Sequence, residues 1–436
     1  MSLPSPDAQA LVLSRALSQR IAQDIAQQGG WIGFDEFMHR VLYEPGLGYY
    51  AGPMRKFGAQ GDFVTAPELS PVFAQCLAAQ VSQWFEQTEP VVVEFGAGSG
   101  RLAAGLLNAL HDMGTPVRRY LIVEVSASLR ERQRETIAQL APEHVGAVQW
   151  LDALPAQIEG VVIGNELLDA MPVRVFEIDS GRLQEVGVAM NENGEFAWAT
   201  LAADTALTEA VNACFGSSLS DDLSDDLSGD LRGDLNEALD KPMGESPDGA
   251  MDRPLQVWQR FPGRYRSEIG LQGQAWVETV GRALRRGAML LIDYGFSARE
   301  YYHPQRDQGT LVAHYRHRVH TDVFHLPGLQ DVTAHVDFSA IARAGAAAGL
   351  DLLGYTSQSR WLINCGLLDR LAALTSSAQT GDQGAAATID AARTVGAAQT
   401  LLSEAEMGEL FKVIAFGRGL ADDARGFVRG DRRGTL

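Results

Sequence analysis

Val91-Val-Val-Glu-Phe-Gly-Ala-Gly-Ser-Gly100, followed by Arg101-Leu-Ala-Ala-Gly-Leu-Leu-Asn-Ala-Leu-His111, joins a short apolar run to a helical pattern through a turn containing three glycines. Five apolar-rich residues ending at a glycine cluster predict a buried strand, and the spacing of leucines and alanines after it predicts a helix over 101–111. Gly96, Gly98 and Gly100 allow the backbone to turn tightly and to approach a ligand without a Cβ clash, while the first turn of the helix offers unpaired N–H groups. This strand, glycine turn and helix set the fold class as α/β and Rossmann-like.

Working outward, strands are predicted at 120–125, 147–150, 161–165 and 288–293, the last preceded by a helix over 274–285. Segments at 354–358 and 411–416 close the sheet as an antiparallel pair, giving about seven mostly parallel strands. Residues 8–28 read as a leading helix that Gly29-Gly30 stops. The stretch 31–71 is rich in Gly, Pro and aromatics and is read as irregular. A hairpin or small meander is expected over 173–200, and the Asp-Leu-Ser and Gly-Asp-Leu repeats within 216–252 read as a solvated, mobile acidic insertion. The expected organisation is therefore an N-terminal helical segment and lid (1–88), a first half of the core (89–172), an insertion (173–262), a second half with a His-rich loop at 296–340 (263–420), and a tail (421–436).

The ligand of the glycine turn follows from its charged neighbours. Gly98, Gly100 and Ala103 also fit a dinucleotide fingerprint by letter, so a nicotinamide dinucleotide is the alternative. Glu94, however, suits a ligand carrying an amino cation better than a pyrophosphate, and S-adenosylmethionine carries both an ammonium and a sulfonium. Glu124, ending the second strand, is expected to accept hydrogen bonds from the ribose hydroxyls; Asp152, after the third, is expected at the adenine amino group. A surface carboxylate at a strand end is the plainer alternative for Glu124.

The formal charge of −19 argues against a nucleic-acid partner. Eleven acidic residues against Arg232 and Lys241 give 216–252 a charge of −9, which leaves −10 for the rest. Cys76, Cys214 and Cys365 form no paired spacing, so neither a disulfide framework nor a thiolate metal site is expected and a reducing compartment fits. There is no apolar export segment or membrane-length apolar run, and no Arg-rich, acid-poor leader. Those features favour a cytoplasmic protein, with the mitochondrial matrix as the alternative.

Several longer motifs, taken together, resemble the MidA-like methyltransferase family. They are Glu44-Pro-Gly-Leu-Gly-Tyr-Tyr50, Gly61-Asp-Phe-Val-Thr-Ala-Pro-Glu-Leu-Ser70, the Gly96 turn and Asn165-Glu-Leu-Leu-Asp-Ala-Met-Pro172. Asp293-Tyr-Gly295, Gly309-Thr-Leu and Asp331-Val-Thr-Ala-His-Val-Asp-Phe338 complete the set. The resemblance, which runs from about Ile21 to Gly419, implies a class I S-adenosylmethionine-dependent enzyme. The family's mitochondrial member is a complex I assembly factor that methylates a protein arginine, so a protein substrate of that type is implied. The acidic insertion is peculiar to this chain, and the Thr-His-Trp loop of the large arginine methyltransferase family is not evident. A methyltransferase for a small molecule or another side chain, and a non-catalytic assembly chaperone, are the competing readings; Glu94, the glycine turn and Glu124 speak against the chaperone.

A guanidinium substrate calls for carboxylates that bind it in a fork. Asn165, Glu166 and Asp169 follow the fourth strand at the carboxyl edge of the sheet, where open α/β sheets bind ligands, and are the expected catalytic group, with Asn165 expected to contact the cofactor as well. Helix capping is the plainer role for Asn165 and Asp169. Tyr49, Tyr50, Asp62 and Glu68 are expected in a lid over the cofactor, with plain packing as the alternative for the aromatics. His314, His317 and His320 are regularly spaced, with His335 and Asp337 nearby, but the interleaved Arg316 and Arg318 disfavour a cation. No metal is expected, and the loop is assigned to substrate contact.

Overall fold

The computed structural model describes residues 3–52, 65–218, 263–379, 385–403 and 406–436. Asp62 and residues 219–252 of the acidic insertion lie outside these; residues 216–218 end a helix that begins at Thr205.

The strands, in chain order, are β1 (Ile32–Gly33), β2 (Val91–Phe95), β3 (Arg119–Val123), β4 (Val148–Leu151), β5 (Ile158–Asn165), β6 (Arg174–Asp179), β7 (Arg182–Met190) and β8 (Phe196–Ala202). They continue as β9 (Tyr265–Ile269), β10 (Leu284–Phe296), β11 (Val312–Tyr315), β12 (Arg318–His320), β13 (Asp331–Thr333), β14 (Val336–Asp337), β15 (Asp351–Ser357) and β16 (Phe411–Arg418). The helices used below are α1 (Ala8–Gln27), α2 (Phe34–Tyr43), α3 (Ala66–Leu69), α4 (Pro71–Phe85), α5 (Arg101–Asp112) and α6 (Ala127–Leu140).

The main sheet runs β15-β16-β10-β5-β2-β3-β4, with β14 paired to the far end of β10. From β10 to β4 every pairing is parallel, and β16 runs antiparallel to both β10 and β15. This is the Rossmann-like arrangement expected from the glycine turn, including the antiparallel pair at its edge. Central strands covered on both faces read as continuous apolar runs, and all five residues of β2 are buried. One face packs against α4 and α5 through Phe73, Leu77, Leu106 and Leu110. The other packs against the helices Leu271–Ala283 and Phe338–Ala347 through Val277, Val280, Ile341 and Ala344.

A second lobe stands at the carboxyl end of the core. The predicted meander is present as β6, β7 and β8, and β1 and β9 enlarge it to five strands. α1, α2 and the small sheet β12-β11-β13 pack on it, sharing a core of Leu17, Ile21, Phe37, Val186, Ala313 and Val332.

Three expectations are corrected. The stretch 31–71 is not irregular throughout, because α2 buries Phe34, Phe37, Met38, Val41 and Leu42 at helical spacing. The predicted helix over 274–285 ends at Ala283, and Leu284 already pairs with Ile158 in a 13-residue β10. Residues 421–436 are docked rather than trailing: Phe427 is buried, and Gly426 N donates to Gln80 Oε1 at 2.8 Å.

At the start of the β5–β10 pairing, Gly160 lies opposite Gly287, and the backbones leave no room for a side chain at Gly287. Gly287 has φ +134, and a Cβ there meets Gly160 O at 1.8 Å. Gly287→Ala should therefore cost about 2 kcal/mol or more. A melting temperature within a degree of the parent would show that the strands separate freely.

Candidate active site

The carboxyl ends of β2, β3, β5 and β10 open into a cavity of about 800 Å³, closed on its far side by the end of α2, Tyr50, β11 and β13. That is the size range of cofactor and small-ligand sites.

At the core end, Gly96 and Gly98 line the wall with φ of 66° and 50°, and Gly100, at φ 83°, caps α5. A Cβ on Gly100 would lie 3.0 Å from the Gln133 backbone, so α6 is seated against the turn only because that side chain is missing. Glu94 is 2% exposed and accepts from the Tyr120 hydroxyl at 2.8 Å; burial pushes its carboxyl up to about 7. Glu124 accepts from Ser126 N at 2.8 Å and from Gln133 Nε2 at 3.2 Å, one donor on each oxygen. Each oxygen keeps acceptor capacity for a diol. Gln133 is fully buried; it also donates to Gly98 O at 3.2 Å and accepts from Trp150 Nε1 at 2.9 Å, tying the glycine turn to Glu124. The Asn165 amide donates to Glu166 Oε1 at 2.9 Å, while its Oδ1 is buried without a partner. An unpartnered buried acceptor is costly unless an occupant supplies a donor. S-adenosylmethionine, with its ammonium and ribose hydroxyls, fits these groups.

At the lobe end the chain turns sharply after β5. Glu166 has φ 51°, a conformation that most side chains avoid, and its N–H donates to Ile292 O at 2.9 Å. The turn is held by Asp293, 1% exposed, whose Oδ2 accepts from Leu167 N at 3.0 Å and Leu168 N at 2.7 Å. Glu166 is half-buried at the cavity wall, and desolvation together with Asp293 pushes it up to about 8. Desolvation, reinforced by Asp293 and Asp331, holds Asp169 well above the usual carboxylate range. Tyr43 donates to Ala170 O at 2.9 Å and Tyr50 to Asp331 Oδ2 at 2.8 Å. Glu68, Glu94, Glu124, Glu166, Asp169 and Asp331 all line the cavity, and no Lys or Arg does among the described residues.

The other expected residues divide. Glu68 reaches the wall, accepts from the Ser99 hydroxyl and pairs with Arg101 at 3.2 Å, so it joins the end of the lid segment to the glycine turn. Tyr50 lines the cavity, but Tyr49 is buried in the lobe core. Asp152 is outside the wall, its side chain 89% exposed and bound to Arg130. His314 lines the cavity; His317 sits exposed in the β11–β12 turn at φ 60°. The hairpin thus undoes the regular spacing of the histidines. His335 lies behind the wall, its ring near Tyr294 and Phe296, and Asp337 caps a helix by accepting from Ala340 N at 3.1 Å. Sequence reasoning did not single out Tyr43, Gln133, Asp293, Tyr294 or Asp331. Asp293 and Asp331 begin two of the motifs quoted above; Gln133, on a polar helix, gives no signal.

Comparisons with known proteins agree with this geometry. The family described as "Putative S-adenosyl-L-methionine-dependent methyltransferase" matches residues 76–356. The protein arginine methyltransferase NDUFAF7, mitochondrial, of Mus musculus is 26% identical over 415 residues, covering 88% of this chain and 81% of that protein. Its Drosophila melanogaster homolog is 27% identical, covering 73% and 68%. A "likely methyl transferase" from Burkholderia thailandensis, solved bound to S-adenosyl-homocysteine, superposes with a TM-score of 0.82 at 45% identity over the whole of both chains. The names of the two curated relatives place those proteins in mitochondria, the alternative compartment rather than the cytoplasm. No helix among the described residues is long and apolar enough to cross a membrane.

Two outcomes follow. Glu124→Ala should weaken S-adenosyl-homocysteine binding by at least about tenfold in calorimetric titration, since two hydrogen bonds to a charged group are lost; unchanged affinity would remove Glu124 from the site. Between about pH 5 and 8 folded Glu166 retains a proton that the unfolded chain has released, so its contribution to stability falls as pH rises, by at most about 1.4 kcal/mol per pH unit. Glu166→Gln should therefore flatten the decline in melting temperature over that window, and an unaltered slope would contradict the assigned shift.

Proposed function

We propose, for a chain that belongs to the S-adenosyl-L-methionine-dependent methyltransferase family matched over residues 76–356, that the methyl group is delivered to an arginine side chain of a protein. The observation that carries this reading is the acidity of the cavity wall: six carboxyl groups line it, without a Lys or Arg among the described residues. Such a wall favours a cationic substrate, whose charge lets the buried carboxyls ionise.

S-adenosylmethionine, when bound, supplies the methyl group. The residues of this chain then have three tasks. Asn165 offers its unpartnered Oδ1 to the cofactor's amino group, and Glu124 holds the ribose. Glu166 and Asp169 orient a guanidinium so that one nitrogen faces the methyl carbon, since in-line displacement depends chiefly on alignment. As the N–CH3 bond forms and the S–CH3 bond breaks, that nitrogen must shed a proton; Glu166, which burial and Asp293 keep protonated in the free site, ionises once a guanidinium lies beside it and is then the carboxylate placed to take the proton. The Tyr43, Tyr50 and Tyr294 rings line the same wall, where an aromatic face would add attraction for a cation.

The names of the curated relatives support arginine over other side chains. A respiratory complex I subunit is the target class suggested by the resemblance to the MidA-like family, and the relatives' mitochondrial names fit the matrix alternative for compartment. A small-molecule substrate would favour a site closed to polypeptide, and a scaffold role would leave the site without turnover.

Incubation of the full chain with methyl-labelled S-adenosylmethionine and a set of arginine peptides, followed by mass spectrometry, should locate label on arginine nitrogen. Glu166→Gln should lower kcat by about a hundredfold or more while S-adenosyl-homocysteine binding persists. Label on lysine alone, or on no protein group, would refute the arginine reading.

A further inference from the structure

We propose that Asp331, fixed by the hydroxyl of Tyr50, is a third substrate-binding carboxylate and closes the cation site from the second lobe. This rests on the reading of the far end of the cavity as a cation site. Glu166 and Asp169 belong to the core, on the turn after β5. Asp331 comes from β13, whose neighbours Val332 and Ala334 are buried in the core of the second lobe. It lies in the same cavity wall as the other two and is 2% exposed.

Two hydrogen bonds fix the offset between the two lobes at this point. Ala334 N, three residues beyond Asp331, donates to Asp169 O at 3.0 Å. The Tyr43 hydroxyl, at the end of α2, donates to Ala170 O at 2.9 Å. The lobe is thus latched onto successive carbonyls of the substrate turn. Asp331 is set against Asp169 by backbone rather than by a flexible side chain. Tyr50 then donates to Asp331 Oδ2 at 2.8 Å, which orients the carboxylate. Asp331 acts electrostatically on Glu166, on Asp169 and on Tyr294, groups that surround the same volume.

Desolvation and their acidic neighbours hold Glu166 and Asp169 towards their protonated forms, and an occupant that brings positive charge and several donors spread over a plane lets them ionise. A guanidinium has five N–H groups in a rigid fork. In this proposal two core carboxylates address one edge of the guanidinium, and Asp331 reaches another from the second lobe. A neutral isostere gains nothing from this arrangement, so Asp331 is a residue of specificity as well as of binding.

The test loads the full chain with S-adenosyl-homocysteine and titrates it, by NMR, with N-acetylarginine methylamide and with the neutral N-acetylcitrulline methylamide. The parent should bind the arginine probe and discriminate against citrulline. Asp331→Asn should weaken the arginine probe by about tenfold or more, and Tyr50→Phe, a milder change, by a few-fold. S-adenosyl-homocysteine affinity should stay within about twofold in both variants; Tyr50→Phe keeps the test decisive if Asp331→Asn does not fold. Undiminished arginine binding in the variants would overturn the role of Asp331 and leave the cation site standing. Loss of S-adenosyl-homocysteine affinity in step with the probe would assign Asp331 to the cofactor end. A parent that binds neither probe, or both alike, would overturn the cation site itself, and with it the arginine reading.

Discussion

Asp293 lies near the carboxyl end of the central strand β10, its side chain buried under the turn that follows β5. Its Oδ2 takes the N–H groups of Leu167 and Leu168, its Oδ1 takes Tyr294 N at 2.9 Å, and Glu166 N is taken by the neighbouring Ile292 O. Backbone donors that leave a sheet edge must find acceptors, and inside a protein their absence is costly. Asp293 meets that need and adds a negative charge beneath Glu166 and Asp169. The left-handed backbone at Glu166 persists because these bonds hold the turn on either side of it. Local geometry and electrostatics of the substrate end therefore share one origin.

The cofactor end has a separate logic, in which missing side chains matter more than present ones. Gly100 admits the backbone of α6, which brings Gln133 to within reach of both Gly98 O and Glu124. A single buried amide then couples the glycine turn to the Glu124 carboxylate. Because Gln133 itself is held by Trp150, the coupling extends to β4 at the sheet edge.

Much of this was legible in the sequence, and for physical reasons. The β2 run and the glycines fix local structure without help from distant residues, and a parallel sheet covered on both faces leaves continuous apolar runs at β5 and β10. Glu166 and Asp169 were legible from their place after a strand at the carboxyl edge. What escaped depends on tertiary contact. α2 carries apolar residues at helical spacing, yet its Gly and Pro flanks and aromatic content suggested a loop. The regular His314, His317 and His320 spacing is cut by a hairpin turn at Arg316 and His317, both at positive φ, which leaves His317 exposed at the turn while His314 and His320 lie on paired strands. Asp331 joins the site only because β13 is latched to the turn after β5, a juxtaposition separated by some hundred and sixty residues that no local pattern encodes.

The acidic wall has a consequence for the direction of the chemistry. Before transfer, a sulfonium and a guanidinium would bring two positive charges to the carboxylates; afterwards, the thioether is neutral and a methylated guanidinium and a proton remain. An enzyme gains rate only from interactions that strengthen towards the transition state. A cluster of fully ionised, solvated carboxylates would stabilise the starting cations most and so would hold the reaction back. The buried arrangement works differently: desolvation and Asp293 favour the protonated form of Glu166, so the free site holds less negative charge to over-stabilise the starting cations. On the arginine reading, a guanidinium placed beside Glu166 would draw it into its ionised form, and the proton released on transfer would return to it, so that charge in the cavity is conserved.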